Sequence, residues 1–106
     1  MLIYAEAHAR SLGNWNNAET LAAVNAIRTR AGVATFSSLT ADTFLAERGR
    51  EMFQESSRRT DLIRFGKYSS GTWWEKGPSP AHKQLMPIPF DAIQSSNGSL
   101  SQNPGY

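Results

Sequence analysis

Through residues 1–66 apolar side chains recur every three or four positions; beyond residue 66 that rhythm yields to prolines and serines. The first run, Leu2 to Leu12, predicts a helix stopped by Gly13, and it opens on interior-type residues, Leu2, Ile3 and Tyr4, with no visible cap. A second helix starts at Asn16 or Asn17, either able to cap free amides, with Glu19 in its first turn. It runs through Leu21, Val24 and Ile27 to Arg28, Arg30 and Ala31, where Gly32 stands as a left-handed terminator. So short a link, Gly13 to Asn16, predicts an antiparallel hairpin with a seam of Ala5, Ala9, Leu12, Leu21, Ala23 and Ile27.

Thr40 or Asp42 caps a third helix, expected to be the longest, with Leu45, Gly49, Met52 and Phe53 on its apolar face. The other faces carry Glu47, Arg48, Arg50, Glu51, Glu55, Arg58 and Arg59, with Glu55–Arg59 and Glu47–Arg50 spaced as ion pairs. Asp61 then caps or bends the chain into a short element, Leu62 to Phe65, closed by Gly66. Further on, Lys83 to Ile88 reads as extended before Pro89, and Phe90 to Ser95 as a short helix with Asp91 in its first turn. The expectation is a mainly α fold in one piece, residues 1–106. A helical hairpin of tetratricopeptide-like character (1–32) precedes a long third helix and turn (40–66) and a loop-rich half with a short terminal helix (67–106). A lone hairpin buries only one of its faces, so the pattern asks for more chain than 106 residues provide.

Composition narrows the classes. At 40% hydrophobic the chain has enough apolar surface to fold, and 106 residues suit one small domain. No run approaches the roughly 20 apolar residues of a membrane span, and the first residues lack the basic and apolar regions of an export signal. Without cysteine, disulfides, thiolate metal sites and cysteine nucleophiles are excluded. The net charge of +2 is spread evenly, since residues 1–66 hold eight basic and seven acidic side chains and residues 67–106 hold three and two. No basic block is set aside for nucleic acid.

Candidate chemistry is sparse. His8 and His82 are the two histidines, and neither belongs to a catalytic triad or metal-binding spacing. Neither catalytic residues nor a metal or cofactor is expected. Glu47, Glu51 and Glu55 would repel one another on a helix face unless arginines answer them, so they read as a structural ladder with Arg48, Arg50, Arg58, Arg59 or Arg64 rather than an acid–base site. Arg58, Arg59 and Arg64 as a phosphate patch would be cancelled by Glu51, Glu55 and Asp61. Trp73 and Trp74, between Gly71 and Gly77, suit stacking on the C–H face of a sugar. The expectation leans instead to one ring plugging the base of the helices, because a small fold needs large anchors.

The run Phe44 to Gly66, with Glu47-Arg48, Arg50-Glu51, Glu55, Arg59, Asp61-Leu62, Arg64 and Gly66, resembles the C-terminal signature of the RagB/SusD family. Ala5-Glu6-Ala7 through Asn25 to Gly32 is similar to that family's last tetratricopeptide-like hairpin. The segment from His82 to Pro89 is similar to its loop before the final helix, and Gln102-Asn103-Pro104-Gly105-Tyr106 to its terminus. Gln54 and Ser56 stand where a tryptophan or tyrosine and a glycine are common. The resemblance implies a C-terminal piece of a lipoprotein at the outer-membrane surface of Bacteroidetes. Such proteins capture oligosaccharide without catalysis and pass it to a TonB-dependent transporter of the SusC type. It makes Glu47, Arg48, Glu51, Glu55, Arg59, Asp61 and Arg64 a structural ion-pair ladder, and leaves Trp73 and Trp74 as the local ligand candidates. The competing expectation is a tetratricopeptide-like module that binds protein and no sugar. An uncovered hairpin face would also favour self-association.

Overall fold

Five α-helices and one 3-10 turn, with no strand beyond an isolated bridge, make up the computed structural model, which describes residues 1–106. The chain forms two compact units, residues 1–58 and 59–106.

The first unit holds α1 (Leu2–Leu12), α2 (Ala18–Arg30) and α3 (Ala41–Glu51). Gly13 ends α1 at φ 60°, a conformation glycine adopts without the clash a Cβ would bring. Asn17 caps α2 by accepting from the Thr20 amide at 2.9 Å. Thr40 and Thr43 form a reciprocal capping box on α3. The α1–α2 hairpin is as expected, but its seam is shifted. Ala5, Ala9, Thr20, Val24 and Ile27 are buried, whereas Leu12 is 58% exposed. Thr20 belongs at the seam because its hydroxyl reaches the Ala5 carbonyl, at 3.4 Å.

α3 departs further from expectation. It has 11 residues against 13 in α2, so it is not the longest helix. Its buried residues are Phe44, Leu45, Glu47 and Arg48, while Phe53 lies beyond its end and is 75% exposed. The chain leaves the helix at Met52 and passes through left-handed conformations at Gln54 (φ 65°) and Ser56 (φ 57°). Both are non-glycine residues, so no helix breaker announces the turn. Fully buried Phe44 packs on Trp15 with ring centroids 5.1 Å apart. Asn25 donates to and accepts from the Phe36 backbone, at 2.9 and 2.8 Å, and so ties the loop before α3 to α2.

Helix α4 (Arg58–Arg64) leads into the second unit. A 3-10 turn (Ala81–Gln84) overlaps the start of the segment expected to be extended, and α5 (Phe90–Ser95) lies where the sequence places it. Pro80 and Pro89 stand immediately before these last two elements. The terminal residues clamp the chain between them. Gln102 exchanges two hydrogen bonds with the Ile88 backbone, Asn103 donates to the Met86 carbonyl at 2.7 Å, and the Tyr106 hydroxyl donates to the Leu85 carbonyl at 2.9 Å. The Tyr106 ring meets His82 edge-on at 5.1 Å.

Candidate functional site

The carboxylates of α3 are answered from a neighbouring helix. Glu47, with 7% of its side chain exposed, bonds to Arg28 of α2 at 2.6 Å and to Arg50 at 2.5 Å. Arg28 also donates to the Ala34 carbonyl at 2.6 Å and lies over the Phe36 ring at 4.0 Å. Glu51 pairs with Arg30. From spacing alone Arg28 and Arg30 do no more than complement the dipole of α2, because a sequence shows nothing of which helix faces α3. Arg48 of α3 is also buried.

The rest of the expected ladder behaves differently. Glu55 is exposed and lies outside any helix, so the i, i+4 relation to Arg59 is lost. Arg59 turns instead to the carbonyls of Lys83 and Gln84, at 2.9 and 3.1 Å. Asp61, only 1% exposed, accepts from Arg64 at 2.7 Å. Arg58 reaches back to the Leu45 carbonyl at 2.8 Å, and its guanidinium lies 2.8 Å from where a Cβ on Gly49 would stand. A side chain at Gly49 would therefore displace the Arg58 guanidinium, which sets a gain against the cost of about 1 kcal/mol that glycine carries in a helix interior. Arg58, Arg59 and Arg64 are each taken up by protein acceptors, which leaves no concerted phosphate patch.

The histidines lie in different units. His8 bridges the hairpin, with Nδ1 3.1 Å from the Asn17 side chain and Nε2 3.1 Å from Glu19, and it stacks on Tyr4. The Tyr4 hydroxyl donates to Glu19. That bond to a carboxylate, aided by burial and by the charge itself, raises the phenol above its ordinary 10.0. No three His, Asp or Glu side chains gather as metal ligands.

The tryptophans occupy a tight turn. Trp73 and Lys76 exchange backbone hydrogen bonds of 3.2 and 2.9 Å, with Glu75 at φ 62° between them. Trp73 is 50% exposed and Trp74 89% exposed, so neither ring plugs a core. The Lys76 ammonium sits over the Trp73 ring at 4.7 Å and donates to the Gly71 and Gly77 carbonyls at 2.8 and 2.9 Å. With its own cation satisfying it from one side, Trp73 is held in place, and its neighbour is presented to solvent.

A model of the SusD family matches residues 1–106. The starch-binding protein SusD of Bacteroides thetaiotaomicron is 30% identical over 92 residues, covering 78% of this chain and 16% of the relative. The structure of surface glycan-binding protein A from Bacteroides thetaiotaomicron is similar, with a TM-score of 0.79 and 30% identity over 97% of this chain and 22% of that one. The chain therefore spans less than a quarter of the length of either protein.

Proposed function

The chain belongs to the SusD family, and from that premise we propose that it is part of a non-catalytic carbohydrate-binding protein. The family match over every residue carries this reading. The two relatives, one named for binding starch and the other for binding glycan, support it. The same reading places the protein at the outer-membrane surface as a lipoprotein, delivering oligosaccharide to a TonB-dependent transporter of the SusC type.

Within the chain, the two units have separate work. In residues 1–58 the carboxylates are matched by Arg28, Arg30 and Arg50, an arrangement that fixes geometry and leaves little free to hold a ligand. This unit is scaffold. In residues 59–106, Asp61 and Arg64 are paired and Arg59 holds backbone, while the turn at Trp73 and Trp74 offers aromatic surface. Sugar binding sites commonly set an aromatic face against C–H groups and polar neighbours against hydroxyls, and this turn is the part of the chain that suits such a ligand.

A tetratricopeptide-like interaction module is the competing reading. The apolar surface that α1 leaves uncovered, with Ile3 77% and Leu12 58% exposed, favours it and would also support self-association. Affinity electrophoresis of the 106-residue chain through gels containing different polysaccharides separates the two. Retardation by at least one polysaccharide is expected. Equal mobility of a folded chain in every gel would overturn a sugar site within these residues and leave them as scaffold or as the interaction module.

A further inference from the structure

Resting on the carbohydrate reading, we propose that Trp74 alone forms the stacking face of the sugar site, that Trp73 is its positioning residue, and that the site takes an uncharged pyranose rather than an acidic one. The two rings are adjacent in sequence but not equivalent in space. Trp74 is 89% exposed at the tip of the turn. Trp73 has the Lys76 ammonium 4.7 Å from its centroid, and Gly71 lies so near that a Cβ there would come within 3.1 Å of the ring. Packed in this way, Trp73 is poorly placed to receive a sugar and well placed to fix the turn.

The backbone makes that turn stiff. Its two closing hydrogen bonds and the positive φ of Glu75 define a single tight reversal. The Lys76 side chain staples the flanking glycine carbonyls on top of it. An aromatic platform ordered before binding loses little entropy when the ligand arrives.

Charge selects the ligand. Lys76 is the cation of the turn, and its donors are directed at the Gly71 and Gly77 carbonyls and the Trp73 ring, with Tyr68 a further 6.0 Å contact. A uronic acid would find no uncommitted cation there. It would meet Glu75, which is exposed next to Trp74 in sequence, and like charges so placed disfavour binding. A neutral sugar offers hydroxyl donors instead, which an ionised carboxylate accepts strongly. Thr72, also exposed, supplies a second hydroxyl-bonding group on the same loop.

The test is isothermal titration calorimetry on the full chain. The ligands are oligosaccharides of the neutral polysaccharide that retards it most, and the same oligosaccharides oxidised at C6 to uronates. Trp74→Ala is expected to weaken neutral-sugar binding by about tenfold or more, while Trp73→Phe, which keeps a ring under Lys76, stays within about threefold of wild type. The uronates are expected to bind more weakly than their neutral parents, and Glu75→Gln to narrow that gap. Binding that survives Trp74→Ala, or uronates that bind more tightly, would overturn this inference while leaving the carbohydrate reading standing. A wild-type chain that binds no oligosaccharide would overturn this inference together with any sugar site in these residues.

Discussion

Ser56 and Gln54 are the residues at which this chain departs from easy backbone chemistry. Each holds a left-handed conformation, at φ 57° and 65°, where a Cβ crowds the following carbonyl. Glycine at Ser56 would relieve that crowding, although it would also loosen the unfolded chain, so the net gain is about 1 kcal/mol. We expect Ser56→Gly to raise the denaturation midpoint, and a lowered midpoint would show that the Ser56 side chain outweighs its strain. Tyr4 provides a second test. Glu19 raises its phenol above 10.0, so the neutral form is favoured in the folded state. The stabilisation is therefore complete below the ordinary phenol range and is lost as pH rises through the raised value. Subtracting a Tyr4→Phe absorbance titration from that of the wild type isolates this step, and Glu19→Gln should return it toward 10.0. A step that ignores the Glu19 substitution would contradict the contact.

Elements are legible in the sequence where their ends are chemically local. Gly13, Asn17, Gly32 and Thr40 mark helix boundaries through φ preference or side-chain capping, and each does so in the structure. Replacing Asn17 by Ala should cost about 1 kcal/mol by leaving the Thr20 amide without its acceptor, as read by urea denaturation. A variant with wild-type stability would mean that water caps α2 equally well. What the sequence hides is of two kinds. The end of α3 has no glycine or proline to signal it, and once the helix stops at Glu51 the Glu55–Arg59 spacing means nothing. The partners Arg28 and Arg30 depend on which helix lies against α3, a tertiary fact that no local spacing contains. Asp61 is visible as a charged residue within a structural motif, and it is 1% exposed against Arg64. Asp61→Ala leaves the donors around a buried carboxylate without their acceptor and should destabilise the fold by about 3 kcal/mol. An unchanged melting temperature would show that the motif has no structural role.

At the scale of the whole molecule, two compact units share one short chain. Residues 1–58 commit their charged groups to one another, whereas residues 59–106 expose an aromatic turn whose own cation is already engaged. The family is legible in the order of motifs along the chain. The exposure of the tryptophans is not, because adjacent large rings in a loop serve equally well as anchors or as a platform. Their 50% and 89% exposure argues against the anchor. The most direct measurement is an amide and indole NMR titration of the isotopically labelled chain with a retained neutral oligosaccharide. A sugar site on the tryptophan turn predicts shifts confined to residues 71–77, led by the Trp74 indole, with the Trp15 indole and the amides of α1 to α3 unmoved. Shifts centred on the helices, with the Trp74 indole silent, would contradict it.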